Sequence, residues 1–266
     1  MKKKIVAICL VLCLAVIALA GATLAYFTDE ETADNVFEMK GINIELEENF
    51  VQGSELLPGL DINKDVYVKN HKASTNAYVR VHIAIPAALD DGDPSFAAYN
   101  NFLHFNFTKD SVAAGQWSWL PVYSEGEGYA GNGAGNWNYY TTEIDGIDYA
   151  VYVVTYRTAL AAGEKTATQA LDKVYIDKSV DCEWVETNDP EEGDGYFVYE
   201  DSNGHQVRLE DIADQNGEIH IKVFAEAAQT ATFTDAYDAL NTAFGTPGSE
   251  NYVDPWTRNL PPAVTP

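Results

Sequence analysis

The feature that most constrains the fold is an alternation of apolar and polar side chains that recurs along most of the chain. Successive side chains of a β-strand point to opposite faces, so a period of two predicts half-buried strands. A run that is apolar on both faces predicts a central strand. The alternating runs are 42–46, 78–85, 103–107 and 218–227; the two-faced run is 149–156; shorter candidates are 66–69, 174–177, 196–199 and 206–209.

These strands predict an all-β fold, a jelly-roll-like β-sandwich of two sheets with long surface loops. One short helix is expected near the C-terminus, with Thr232 or Thr234 as its cap and Gly245 and Pro247 beyond its last turn. A second, weaker helical pattern covers 166–173. Long exposed loops are expected at the glycine-rich stretch 125–137 and the acidic stretch 188–195.

The N-terminus has the pattern of a secretory signal. Three lysines precede an apolar run over 5–20, and small residues follow it. This run is shorter than the roughly 20 residues that a membrane-spanning helix needs. We predict cleavage between Ala25 and Tyr26, with cleavage after Ala22 as the alternative. An uncleaved N-terminal anchor is the competing interpretation.

The rest of the chain shows no internal repeat and no change in composition that would divide it into two domains. The predicted organisation has four parts. They are a signal peptide at 1–25, an N-terminal segment at 26–40, a β-sandwich domain at 41–245 and a poorly ordered, proline-rich tail at 246–266.

Removal of the predicted signal takes away three lysines and no acidic residue, leaving 13 basic against 41 acidic side chains. Such a surface repels nucleic acid and anionic lipid, so neither is an expected partner, and the membrane is met only through the signal before cleavage. Solubility outside the cell accounts for this charge; binding of Ca²⁺ or another divalent cation is the alternative. Cys182 is the only cysteine beyond the signal, so no internal disulfide is expected, and its predicted place is in the core or on a strand.

No catalytic motif stands out. None of the five histidines belongs to an H-E-x-x-H pair, and neither a G-x-S-x-G elbow nor a phosphate-binding glycine loop is present. His82 and His220 alternate with core-facing residues, so both are predicted on the polar surface of strands. A metal site formed by these two across neighbouring strands is a weak candidate, and no cofactor is otherwise expected.

Two further patterns have both a structural and a functional interpretation. The acidic stretch 90–93 lacks the ligand spacing of an EF-hand loop, so an acidic turn is favoured over a calcium site. The aromatic cluster could stack on a glycan, but packing of a loop over the core is favoured. Its members are Trp117, Trp119, Trp137, Tyr139 and Tyr140.

The residues after the predicted cleavage site carry a family resemblance. Phe27, Asp29, Asn35 and Phe37 lead to a Gly-Ile-x-Ile-x-Leu strand, formed by Gly41, Ile42, Ile44 and Leu46. This order resembles the junction of the TasA/camelysin family of Gram-positive bacteria, whose signals are cut by a SipW-type signal peptidase. Weaker matches continue at Leu57-Pro58-Gly59, Tyr78-Val79-Arg80-Val81, Gly163-Glu164-Lys165-Thr166 and 225–244.

The resemblance implies a secreted structural protein of the extracellular biofilm matrix or cell surface, assembling head-to-tail into fibres. In such fibres an N-terminal strand of one copy completes the sandwich of the next. Here Tyr26, Phe27, Val36 and Phe37 would be the apolar side chains of the donor strand. Self-association, the signal peptidase and other matrix components are the implied partners. The resemblance also leaves open a camelysin-type metalloendopeptidase, and the aromatic cluster leaves open a monomeric adhesin or glycan-binding module.

Overall fold

The computed structural model describes residues 41–90, 102–105, 116–118, 138–187, 194–250 and 252–257. The chain divides into two units, 1–39 and 40–266, and all described residues lie in the second. Among them, no helix combines the length and apolar character needed to cross a membrane. The predicted signal peptide, the cleavage site at Ala25 and Tyr26 and the four donor residues lie outside the described residues.

The described residues form twelve strands and one α-helix. The strands are β1 (Ile44–Phe50), β2 (Ile62–Asn70), β3 (Ala77–Pro86), β4 (Leu103–Phe105), β5 (Trp117–Ser118), β6 (Tyr139–Ile144), β7 (Ile147–Tyr156), β8 (Leu171–Ile176), β9 (Asp181–Glu186), β10 (Gly195–Glu200), β11 (Gln206–Arg208) and β12 (Lys222–Gln229). The helix is α1 (Ala236–Phe244), and two 3₁₀ turns cover Ala87–Leu89 and Leu209–Ile212.

The strands form two large sheets and one small sheet, in which all ladders between named strands are antiparallel. Sheet A has the order β1-β2-β8-β4. Sheet B has the order β12-β3-β7-β5, with β6 also paired to β7. Sheet C has the order β11-β10-β9.

Sheets A and B enclose one core. Alternate residues of β2, such as Val66 and Val68, are fully buried and share a cluster with Val81 and Ile83 of β3 and Val154 of β7. The alternation in the sequence therefore places one face of each sheet against the other. The predicted all-β sandwich is confirmed.

The outer face of sheet B is covered as well. Helix α1 packs Ala239 and Leu240 on Ala228 of β12. Further along the sheet, Tyr252 and Trp256 lie against the cluster that contains Val151 and Val153. The prediction of a poorly ordered tail from 246 onward is thus wrong for this part of it.

The C-terminal helix matches its prediction except at its cap. Asp235, not Thr232 or Thr234, accepts a hydrogen bond from the Asp238 backbone N–H at 2.9 Å. Gly245 ends the helix with a φ of 85°, a conformation that glycine adopts without steric cost. The second helix predicted at 166–173 is wrong: these residues form turns and the beginning of β8.

Candidate functional site

Edge strand β1 of sheet A lies next to edge strand β12 of sheet B, and the two strands are not hydrogen-bonded to each other. Core-facing residues on the central strands, such as Val81 and Ile83, have no exposed surface. The core-facing residues of these two edge strands remain half-buried, although they pack on the same core. These residues are Ile44 and Leu46 of β1 and Val223, Ala225 and Ala227 of β12. We call this line between β1 and β12 the seam.

Each seam strand directs backbone groups outward. The His71 N–H donates to the Asn43 carbonyl, so odd-numbered residues of the β1 strand direct their backbone groups towards β2. Ile44, Leu46 and Glu48 therefore direct theirs away from sheet A. The Thr230 N–H bonds to Asn76 in the same way, which leaves the odd-numbered residues of β12 directed outward.

A cleft of ≈ 170 Å³ lies at one end of the seam, between the end of β1 and residues 219–221. Lys64 lies in its wall with only 5% of its side chain exposed, and its Nζ is 3.4 Å from a Glu48 carboxylate oxygen. The same Nζ lies 4.6 Å from the centre of the Phe50 ring. The seam thus combines half-buried apolar groups, strand edges that pair with no other described strand, and a recess large enough for part of a side chain.

The segment with the predicted donor residues leads directly into this region. Gly41 follows it, and the Gly41 carbonyl accepts a hydrogen bond from the Thr75 N–H at 3.1 Å. Three residues later β1 begins. Tyr26, Phe27, Val36 and Phe37 themselves lie outside the described residues.

His82 is not on the polar surface, as the alternation predicts, but fully buried. The face of sheet B that the alternation predicts to be a polar surface is covered by α1 and by residues around Tyr252. The His82 Nε2 lies 3.2 Å from Glu226 Oε2, and Arg80 Nε donates to the same oxygen at 2.6 Å. Burial lowers the His82 pKa, against the opposing effect of Glu226. Burial raises the Glu226 pKa, but the His82 hydrogen bond and the positive Arg80 outweigh it, and the net direction is down.

The contacts around His82 define a consistent chain of donors. With the proton on Nε2 facing Glu226, Nδ1 is an acceptor, and the hydroxyls of Tyr140 and Tyr252 each lie 3.4 Å away. The Tyr140 hydroxyl is also 3.2 Å from Asp254 Oδ1, to which it donates, leaving Tyr252 as the donor to His82. The cluster is a buried ionic network beneath the C-terminal segment, in which Arg80, His82 and Glu226 are at most 1% exposed.

His220 lies apart from His82, just before β12 begins. Its Nε2 is 3.2 Å from Asp214 Oδ2, and Glu218 joins them in a group whose ligand atoms lie within 4.8 Å of one another. The N–H groups of Glu218 and Asn216 donate to the other Asp214 oxygen. These bonds, the Glu218 backbone one above all, lower the Asp214 pKa to about 2. His82 and His220 thus bond to different carboxylates.

The remaining candidates divide between the core and residues outside the described ranges. Trp117 is fully buried and donates through Nε1 to the Thr168 carbonyl, so it has no face for a glycan. Asp90 is buried and accepts a hydrogen bond from Tyr152. Cys182 lies on a strand, as predicted, but it is exposed. Trp119, Trp137 and 91–93 lie outside the described residues.

The comparison with family models adds one finding. Residues 1–93 match the camelysin metallo-endopeptidase model. The resemblance to the TasA/camelysin family is confirmed over this N-terminal part, which includes β1, β2 and β3. No curated protein and no solved structure matches the chain.

The camelysin description implies a metal, so the described residues can be tested against a peptidase zinc site. Such sites use three protein ligands, commonly two histidines and a glutamate. All five histidines are described, and none shares a described metal-ligand group with another; the one such group holds a single imidazole and two carboxylates. Because Asp214 already accepts backbone and imidazole hydrogen bonds, the group fits a zinc peptidase poorly.

Proposed function

We propose that the protein is an extracellular structural subunit that forms fibres, in which the N-terminal segment of one copy adds to the seam of the next. The observation that carries this proposal is the half-buried apolar line along β1 and β12. A sandwich with a complete edge would bury those side chains as fully as Val81 and Ile83. A strand from another chain would cover them and satisfy the outward backbone groups.

The chemistry of the N-terminal segment supports the same assignment. Tyr26, Phe27, Val36 and Phe37 supply apolar side chains, while neighbouring acidic residues keep the free segment soluble. The fifteen residues 26–40 span up to about 50 Å when extended, and β1 needs only about 23 Å of added strand. The segment is therefore long enough to leave its own domain and reach a second copy.

The exchange can continue from copy to copy. When the donor of one copy enters the seam of a second, and the donor of the second enters a third, the contact is heterologous and yields filaments unless the rotation closes a ring. Before cleavage, the predicted signal would hold the donor at the membrane. Cleavage by a SipW-type signal peptidase would then release the donor, and other matrix components would meet the finished fibre.

Deletion of residues 26–37 tests the proposal. We expect residues 38–266 to fold, with unchanged far-ultraviolet circular dichroism, and to form no filaments by electron microscopy. The matched control removes a similar length from the other end, residues 258–266, and should still form filaments. Filaments of normal appearance from the first deletion would contradict the proposal. Imaging at several pH and calcium values also tests the cation alternative, because close packing must screen many carboxylates.

The camelysin match favours a second candidate, a metallopeptidase. Its test is cleavage of casein by the purified protein with and without a zinc chelator. Chelator-sensitive cleavage that survives deletion of residues 26–37 would favour the peptidase, and the Asp214→Asn variant would show whether the Asp214 group takes part.

A further inference from the structure

Sheet C ends at the edge strand β9, which is unusually exposed. All six residues of β9 are exposed, on both faces. The strand lies at the edge of its sheet, and none of the described residues pairs with its other side. An exposed edge of this kind is a template for a further strand. It is separate from the seam, because it belongs to a different sheet.

The outward backbone groups of β9 can be assigned from the register. The Asp201 N–H bonds to the His205 carbonyl, so the odd-numbered residues of β10 direct their backbone groups towards β11. The even-numbered residues of β10 pair with the odd-numbered residues of β9. Cys182, Trp184 and Glu186 therefore present their N–H and C=O groups at the free edge.

Trp184 and Phe197 form an apolar platform on one face of sheet C. The Trp184 and Phe197 rings meet edge to face at 4.9 Å between centroids, with 48% and 49% of these residues exposed. Trp184 packs against Gly195, where an added Cβ would come within 2.9 Å of the indole. The indole thus contacts the sheet while about half of the residue stays exposed. Exposed apolar groups of this size mark interaction sites.

The charge along the edge indicates the kind of partner. β9 carries Asp181, Glu183 and Glu186, and no described lysine or arginine forms an ion pair with them. On β1, by contrast, lysines pair with all three glutamates: Glu45 and Glu47 with Lys69, and Glu48 with Lys64. Carboxylates left without partners along a strand edge favour a neighbouring strand of opposite charge.

We propose that β9 is a docking edge for an extended segment of another protein in which lysine or arginine alternates with apolar residues. Its backbone would bond to Cys182, Trp184 and Glu186, its apolar side chains would cover Trp184 and Phe197 on one face, and its cations would face Asp181 and Glu183 on the other. A second copy of β9 is a poor occupant, since like charges would face each other. The chain's own segment 26–40 is equally poor, since it holds five acidic residues and one lysine.

The test uses residues 26–266 and a labelled nine-residue peptide in which lysine alternates with valine and phenylalanine. We expect binding by fluorescence anisotropy that weakens as salt rises. The matched variants are Cys182→Pro and Cys182→Ala. Proline removes an outward N–H while leaving the β9–β10 ladder intact, so it should weaken binding at least about tenfold relative to alanine. Trp184→Ala should weaken it similarly.

Several outcomes overturn the proposal. One is absence of peptide binding, and another is equal binding by a peptide of the same composition broken by prolines, which shows attraction by charge alone. A concentration-dependent dimer that Cys182→Pro abolishes would assign the edge to a second copy. Competition by an amino-sugar oligomer with no effect of Cys182→Pro would assign the platform to a glycan. Equal binding to the Cys182→Pro and Cys182→Ala proteins would exclude strand addition.

Discussion

At the scale of single residues, the buried Arg80–Glu226–His82 network is the most consequential departure from a plain sandwich. Side-chain exposure is 1% for both Arg80 and Glu226 and 0% for His82. Arg80 also donates to Asn241 and to the Gly245 carbonyl, so the network joins β3, β12 and the end of α1. Removal of one partner leaves a charge without compensation in a medium that solvates it poorly.

The change Arg80→Met should therefore destabilise the protein by about 3–5 kcal/mol. Adding Glu226→Gln to the same chain should recover part of this loss, because the stranded carboxylate is gone. Urea unfolding at neutral pH measures both. Lys165→Met, which breaks an exposed pair with Glu47, is the control and should leave the free energy of unfolding nearly unchanged.

His82 should make stability fall as the pH falls. Its pKa is lowered in the folded state, so below about 6.5 the unfolded chain binds the proton first. The stability that it contributes is complete above that pH and is lost as the pH falls towards the folded pKa. His82→Gln should flatten the melting temperature between about pH 7 and pH 5. His205→Gln, at an exposed histidine, is the matched control for loss of an imidazole.

At the scale of elements, the sequence predicted the strands that lie mainly in the core. The prediction failed for strands and side chains whose exposure is set by tertiary contacts. The runs that became β3 and β7 were predicted within two residues. β3 shows the alternation of a strand, and β7 is apolar on both faces, as a central strand is. β9 was missed because both of its faces are exposed, so its apolar residues follow no burial pattern. The wrong surface assignment of His82 has a related cause: period-two alternation separates the two faces of a sheet but does not say which face is covered.

The same reasoning explains what could be predicted of the candidate site. The donor residues stood out because they follow a recognisable junction, as Phe27 and Phe37 do. The seam could not be predicted, because it depends on β1 and β12 meeting across more than 170 residues of sequence. No local pattern predicts that Leu46 and Ala225 are half-buried, because both follow the same alternation as fully buried core residues.

The C-terminal segment gives a prediction at this scale. A chain that stops after Gly248 loses Tyr252 and Trp256, which pack on sheet B, and Asp254, which accepts from Tyr140. It should be destabilised by about 3 kcal/mol or more, from the loss of two aromatic contacts. Thermal unfolding measures the loss. A chain that stops after Thr257 should unfold at nearly the same temperature as the full chain.

At the scale of the whole molecule, the protein is an acidic sandwich whose described residues offer two separate candidate edges for strand addition. The first edge, the seam, borders the core that sheets A and B share and suits the donor segment of another copy of this chain. The other, on sheet C, carries carboxylates that pair with no described lysine or arginine and suits a basic strand. This division would let a fibre grow through one edge and take up other components through the second.

The central claim, that the donor of one copy occupies the seam of another, is tested most directly by a bond between copies. In a Cys182→Ala background, a protein with Val36→Cys or Phe37→Cys is mixed with one that carries Ala225→Cys and is oxidised. Neighbouring donor residues face opposite sides of a strand, so we expect one of the two to form a covalent heterodimer on a non-reducing gel. Thr242→Cys, at an exposed helix position, replaces Ala225→Cys as the control. Bonds that form only when both cysteines lie in one chain, or that do not exceed the Thr242 control, would contradict the account.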